Sequence, residues 1–433
     1  MQIMRDNSTG TVFNKHSANP KKAFSSFYNK LEKLVNIHAP LKSLSRRKAK
    51  QFSKPWLSRG LLTSIKVKNP LLNSGDFRKY KLYRNRLSGL IRHSKRIYYC
   101  KFFHENLHNM KNTWAGINQL FNRRKKNSKP VTVLKRPGTS EITTLGSELP
   151  NIMNNYFSSI GESLAKNVPP SAKHFSEYLH MIVVLLILSF FDPVTQPEIE
   201  HEILSLPFNK AYGLYSCPTR LIKCAYCILS QPLADLINIS VSCGIHPPQL
   251  KHAKVVPVYK SDDDTEPGNY RPISLLSVFN RIFEKVMYNR LIAFVEKNDL
   301  LYKSQYGFRE KHSCHHALLE IVNRIQTNMG NKLFSCGIFL DLKKAFDTVD
   351  HSILLYKLHH YGIRGIVNDW FSSYLSGRFQ STQIDSNISH KKKISFGGPQ
   401  GSVLGPLLFL IYINDIPNCS EIFDFHLFAD DTN

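Results

Sequence analysis

Three aspartates carry the chemistry this sequence can do. Asp430 and Asp431 close the apolar run Phe428-Ala429-Asp430-Asp431, and Asp341 closes Phe339-Leu340-Asp341 about ninety residues earlier. Apolar strands rarely tolerate acids, so carboxylates at their ends ask for a reason. Two adjacent aspartates at the tip of one strand, facing a third at the end of another, would assemble a hard, all-oxygen site for Mg²⁺. Two such ions are what phosphoryl transfer needs.

The surrounding elements must place these acids and a substrate. Phe334 to Leu342 reads as a buried strand delivering Asp341, and Phe423 to Phe428 leads into a hairpin whose turn presents Asp430 and Asp431. Val255-Val-Pro-Val-Tyr-Lys260 and Asn269-Tyr-Arg-Pro-Ile-Ser274 read as two strands joined by an acidic loop, Asp262 to Glu266. That pairing brings Lys260 and Arg271 together as two cations able to grip a triphosphate. Ser277 to Glu296 is predicted to be an amphipathic helix with Phe279, Ile282, Val286, Leu291 and Phe294 inward, and Ala317 to Met329 a further helical run after Gln305-Tyr-Gly-Phe-Arg309. Gly397-Gly-Pro-Gln-Gly401 opens an apolar helix over Val403 to Ile413. Its glycines allow close backbone approach to a base or phosphate, and Gln400 can hydrogen-bond a substrate. Asp347 and Asp350 fit a structural role at a helix start.

Charge sorts the rest of the chain. The net charge of +26 is confined to the first third: residues 1–136 hold 32 Lys/Arg against 4 Asp/Glu, and the remainder 26 against 28. Such a segment suits the phosphate backbone of nucleic acid whatever its sequence. Within it, Asp76 to Asn109 should form a basic helical hairpin, with Leu87, Leu90, Ile91 and Tyr98 in an apolar stripe that Trp114 and Phe121 continue, and Arg84, Arg92, Lys95 and Arg96 on the other faces. Arg123-Arg-Lys-Lys126 reads as a nuclear-import patch, a phosphate-binding run or a solvated one. Residues 137–250 read as a soluble α-rich region, with Gln196-Pro opening a helix. Of eight scattered cysteines only Cys224 and Cys227 have zinc-ligand spacing, with no second pair to complete four ligands, so a reducing compartment fits best. Met1-Gln-Ile-Met-Arg-Asp is not a signal-peptide pattern. Met181 to Phe191 is apolar but far short of the about twenty residues a membrane span needs, so it reads as a buried strand or helix.

In order and spacing, VVPVYK, NYRPISLLSVFNRIFEKVMYNRL, QYGFREKHS, GIFLDLKKAFDTVDHSILL, GGPQGSVLGPLLFLIYINDI and LFADD resemble the reverse transcriptase domain of non-long-terminal-repeat retrotransposons, from Leu204 to Thr432. The resemblance implies an α+β fold: the fingers and partial palm of a right-hand polymerase over residues 251–433, preceded by the α-rich stretch 137–250 and the basic helical region 1–136. It implies that Asp341, Asp430 and Asp431 are catalytic and bind two Mg²⁺ ions, with the Leu342 carbonyl as a further ligand. It implies that Phe346 blocks a ribose 2′-hydroxyl, that Gln400 and Gly401 lie beside the incoming nucleotide, and that Lys260 and Arg271 hold its triphosphate. The implied partners are template RNA, primer DNA and deoxynucleoside triphosphates, gripped in part by the basic third, with no membrane. The implied location is intracellular, in nucleus and cytoplasm.

Departures from the family pattern shape the expectation. The chain stops two residues after Asp431, Gly398 stands where a β-branched or larger residue is usual, and Ala211-Tyr-Gly-Leu-Tyr-Ser216 replaces a glycine-and-aspartate loop. These fit a truncated copy with weak or no activity alone. A noncatalytic RNA- or DNA-binding remnant is the alternative. Group II intron maturases and telomerase also share the aspartates, but LGPLLFLIYINDI and NYRPISLL favour the retrotransposon family.

Overall fold

The computed structural model describes residues 19–40, 54–121, 131–136, 141–171, 173–179, 192–208, 213 and 217–432. The Met181–Phe191 run, the Arg123–Lys126 patch and all of the Ala211–Ser216 loop except Gly213 lie outside these residues. No described helix is long and apolar enough to cross a membrane.

Packing divides the chain into two units, Glu32–Pro130 and the remainder. Charge and packing draw different boundaries because aromatic burial outweighs charge at the start of the chain. The helix Pro20–His38 buries Phe24 and Phe27, and Phe24 meets Phe279 and Phe283 edge-on at 6.2 and 6.5 Å.

Within Glu32–Pro130, Ser58 caps the helix Arg59–Asn73, and Asp76 caps the helix Phe77–Glu105 after a left-handed Gly75. The expected hairpin is thus not formed within Asp76 to Asn109, which is one continuous helix to Glu105, but with the preceding helix Arg59–Asn73, and the Tyr83 hydroxyl donates to the Ser64 carbonyl at 3.1 Å across it. The buried seam is narrower than the periodicity suggests. Leu87 and Tyr99 are buried, whereas Leu90, Trp114 and Phe121 are more than half exposed. A small helical unit has too few neighbours to cover a wider stripe.

In chain order the described strands are β1 (Leu134–Lys135), β2 (Ile142–Thr143), β3 (His252–Tyr259), β4 (Tyr270–Leu275), β5 (Leu340–Asp341), β6 (Arg378–Ile384), β7 (Asn387–Ile388), β8 (Lys392–Ile394), β9 (Leu427–Phe428) and β10 (Asp431–Thr432). They make a mixed five-stranded sheet in the order β4-β3-β6-β7 with β8 also on β6, a three-stranded sheet β5-β10-β9, and the β1-β2 ladder. Alternation along β3 turns Ala253 and Val255 inward. There Val255, Tyr270 and Ile384 share a core with Leu149, Met153 and Phe157 of the helix Leu149–Lys166. Part of the α-rich stretch thus builds the sheet's own core.

The helix Val278–Lys297, capped by Ser277, buries the five apolar residues that its sequence pattern picks out. Against it lie Trp370 and Tyr374, their rings stacked at 5.6 Å, from the helix Gly365–Leu375. His246 is fully buried in this layer, with Nε2 3.0 Å from Asn280 Oδ1. That oxygen only accepts, so Nε2 carries the proton. Burial drives the His246 pKa well below its ordinary 6.5, with Arg378 and Lys251 adding to the effect. His252 and His351 are shifted down too, chiefly by burial. A depressed base lets the unfolded chain bind protons the folded one refuses, so stability falls as pH drops below about 6.5, by up to about 1.4 kcal/mol per pH unit per group. Urea titrations from pH 7 to 5 should show that loss, shallower by up to one proton in His246→Gln. An unchanged slope in the variant would contradict the assignment to His246.

One expected element differs. Only Leu340–Asp341 of the stretch Phe334 to Leu342 is strand, and it is not buried: Phe334, Phe339 and Leu340 are all exposed. β5 is the edge of a three-stranded sheet, and among the described residues nothing covers its apolar side chains. Hydrophobic pattern marks what can be buried; a neighbouring layer decides what is.

Candidate active site

Phe428 pairs with Asp431 across β9 and β10, leaving Ala429 and Asp430 as a two-residue turn. Ala429 takes φ +57°, a left-handed conformation that such hairpin turns demand. β10 pairs on its other side with β5, Asp431 opposite Asp341 and Thr432 opposite Leu340. Directly opposed residues project to one face with Cβ atoms about 4.5–5.5 Å apart. Asp341 and Asp431 are therefore neighbours, and Asp430 stands on the adjoining turn.

A cavity of about 800 Å³ is lined by Asp341, Leu342 and Asp430 together with Lys260 and Arg271. Its size suits a nucleotide-scale ligand. The β3–β4 register explains the two cations. Val258 sits opposite Arg271, and Lys260, two residues beyond Val258, falls on the same face. Among the described residues neither makes an ion pair. The nearby acidic loop is occupied elsewhere: Lys135 bridges Asp263 at 2.9 Å and Glu266 at 3.1 Å. The Thr265 N–H and Lys135 hold the Asp263 carboxyl down to about 2.

Phe346, Gln400 and Gly401 line the same cavity. The Phe346 ring stacks on Phe409 at 4.2 Å and meets Phe308 edge-on at 5.9 Å, which fixes its position. Gln400 Nε2 donates to Asp347 Oδ1 at 2.9 Å, while the Gln400 carbonyl accepts from Ser274 N at 2.8 Å. Asp347 thus orients Gln400, and burial raises its pKa. Asp350 caps the helix His351–His360, accepting from Ser352 N and Ile353 N. Asp350 has the helix-start role its spacing suggests, whereas Asp347 ends a short 3-10 turn and holds Gln400 instead. Gly397 (φ +71°) has no room for a Cβ, which would lie 2.7 Å from the Phe346 carbonyl oxygen. Gly398 has nothing within 4 Å of a Cβ, so the larger residue usual there would fit.

Among the described residues no three His, Cys, Asp or Glu side chains converge as a ready-made metal cage, neither the three aspartates nor the Cys224–Cys227 pair. The donor set nevertheless suits Mg²⁺. All three are hard carboxylates, and Asp341 and Asp431 are solvent-exposed at paired positions. Like charges directly opposite one another are destabilising, and a divalent cation between them offsets that cost.

Lys344 is a site residue that no sequence pattern singles out. It lines the cavity, adopts φ +54°, and donates from Nζ to the Gly268 carbonyl at 2.9 Å. Burial lowers its pKa; Asp347 opposes this, and Lys260, Arg271 and Lys343 press it lower still. A strained, half-buried lysine amid three cations is a place for polyanionic charge. The available signal was the pair Lys343-Lys344 directly after Asp341-Leu342.

The family described as reverse transcriptase (RNA-dependent DNA polymerase) matches residues 258–433. The RNA-directed DNA polymerase from mobile element jockey of Drosophila melanogaster is 34% identical over 233 residues, 53% of this chain and 25% of its own. The Drosophila funebris jockey polymerase is 26% identical over 405 residues, 92% of this chain and 44% of its own. A probable RNA-directed DNA polymerase from transposon BS of Drosophila melanogaster is 29% identical over 255 residues, covering 57% of this chain and 27% of its own. The chain spans from about a quarter to under half of these relatives. Residues 258–433 are thus similar to the reverse transcriptase family, and the chain around them to RNA-directed DNA polymerases of Drosophila mobile elements.

Proposed function

We propose that this chain is an RNA-directed DNA polymerase. The observation that carries the reading is the register of β5, β10 and β9. It sets Asp341 opposite Asp431 and places Asp430 on the turn beside them, at a cavity that Lys260 and Arg271 also line. In this reading β3 and β4 belong to the fingers, and the aspartate-bearing sheet to the palm. Two Mg²⁺ held by Asp341, Asp430, Asp431 and the Leu342 carbonyl would lower the pKa of a primer 3′-hydroxyl and stabilise the pyrophosphate leaving group. Lys260, Arg271 and Lys344 neutralise the triphosphate. Phe346, wedged between Phe409 and Phe308, cannot yield to a ribose 2′-hydroxyl, which selects deoxynucleotides. Gln400, oriented by Asp347, contacts the incoming nucleotide, and Gly401 (φ +107°) lets the backbone approach it.

Template RNA is gripped by the basic helices. Arg84, Arg92 and Arg96 are exposed along the helix Phe77–Glu105, whose own acids are confined to its last residue. Replacing all three with glutamine should weaken RNA binding alike for every sequence. It should also flatten the log affinity against log salt by about two to three, at roughly 0.7–0.9 for each phosphate no longer neutralised. An unchanged salt slope would contradict this role. The function itself is tested by extension of a DNA primer on an RNA template. Weak Mg²⁺-dependent incorporation that prefers deoxynucleotides over ribonucleotides is expected of this chain alone; tight binding with no incorporation under Mg²⁺ or Mn²⁺ would favour the noncatalytic alternative.

A further inference from the structure

Gln305 begins the turn before the helix Cys314–Gly330, far in sequence from the aspartate hairpin. It is 2% exposed. Its Oε1 accepts two backbone N–H groups, that of Gly307 at 2.8 Å and that of Ala429 at 3.0 Å. The flanking chain is laced to β9. Tyr306 N donates to the Leu427 carbonyl at 2.8 Å and Leu427 N to the Ser304 carbonyl at 2.9 Å, a parallel bridge between Gln305 and Leu427. The approach is so close at Gly307 that a Cβ there would lie 2.2 Å from Ala429 N and 2.8 Å from its Cα.

This clasp falls on a strained residue. Ala429 at φ +57° carries a left-handed conformation that disfavours any side chain. Such a conformation persists only when its surroundings over-determine it. The Ala429 N–H lies in the turn, and Gln305 Oε1 is its acceptor. The next residue is Asp430.

We propose that Gln305 and Gly307 form a clasp that locks the Ala429–Asp430 turn in its left-handed form and so aims the Asp430 carboxylate at the cation shared with Asp341. Gln305 is a positioning residue, acting on the cation only through the backbone of the turn. The proposal rests on the reading of the three aspartates as metal ligands. Residues that orient a ligand without touching the metal typically govern about ten- to a hundredfold of its affinity.

The test uses the full chain and Mn²⁺ alone as probe, followed by electron paramagnetic resonance, with hydrogen exchange at the Ala429 amide and thermal unfolding measured in parallel. Gln305→Met removes the acceptor and is expected to speed Ala429 exchange and weaken Mn²⁺ binding about tenfold or more. Gln305→Glu keeps an acceptor of the same reach and is expected to retain both properties far better than the methionine variant. Gly307→Ala, which leaves Gln305 in place but presses on Ala429, should lose Mn²⁺ affinity as Gln305→Met does, and serves if the methionine variant does not fold. Parent-like Mn²⁺ affinity in a folded Gln305→Met or Gly307→Ala overturns the clasp, as does equal loss in Gln305→Met and Gln305→Glu. If Asp430→Ala binds Mn²⁺ as tightly as the parent, the aspartate reading falls and takes this proposal with it. Loss in Asp430→Ala with none in the Gln305 and Gly307 variants overturns the clasp alone.

Discussion

Asp430→Ala is expected to lower incorporation of deoxynucleotides on a primed RNA template by about a thousandfold while hardly changing thermal stability. Cation stabilisation of charge at the reacting phosphate is worth several kcal/mol, and about 4 kcal/mol corresponds to a factor of about a thousand. The stability side follows from the turn. Among the described residues the Asp430 carboxylate makes no hydrogen bond or ion pair, and it adjoins two more carboxylates, so its removal should stay within about 0.5 kcal/mol. A loss of tenfold or less, or a loss that tracks unfolding, would contradict its role as a metal ligand.

Glu284→Ala should produce the largest loss of stability. Glu284 is fully buried in the helix Val278–Lys297. Its Oε1 accepts from Asn280 Nδ2 and from the Tyr374 hydroxyl, both at 2.7 Å, and its Oε2 accepts from Val403 N at 2.7 Å. Burial raises its pKa, opposed by the Val403 N–H and the Arg378 charge. Truncation would strand the buried Asn280 and Tyr374 donors and the half-buried Val403 N–H, and remove a negative charge that the buried Arg378 acts on. Removing one partner of a buried charge network costs about 3–5 kcal/mol. The Val403 bond also ties the Gln400–Gly401 loop to the core, so KM for deoxynucleotides should rise in any folded variant. Glu284→Gln, which keeps acceptors for some of the donors, should cost about 1–3 kcal/mol. Urea unfolding of both variants at pH 7 measures the difference, and a cost under about 1 kcal/mol for alanine would contradict the network.

How much of this was legible in the sequence depended on whether the signal was local. The hairpin bearing Asp430 and Asp431, the strand pair bringing Lys260 beside Arg271, and the Ser277-capped helix all follow from alternation, capping and turn residues close by in the chain. Asp341 was placed at a strand end correctly, but the buried strand before it was not, because burial of Phe334 and Phe339 needs a neighbouring layer that periodicity cannot reveal. Long-range pairings stayed hidden for the same reason. Gln305 meets Ala429 across 124 residues, and Glu284 meets Val403 across 119. Each is a polar residue within a motif, with nothing local to mark its distant partner. Glu284 did leave a trace, as an acid between Phe283 and Val286 on the apolar side of its helix. Charge does not report on packing, since the basic first third divides where Phe24 enters the larger core.

The most direct test of the two-cation account is an anomalous-diffraction structure of this chain with Mn²⁺, a primed RNA template and a non-hydrolysable deoxynucleoside triphosphate. Two Mn²⁺ peaks about 3.5–4 Å apart are expected between Asp341 and the Asp430–Asp431 hairpin, with the triphosphate reaching Lys260 and Arg271. Mn²⁺ bound elsewhere, or a triphosphate seated away from Lys260 and Arg271, would contradict it.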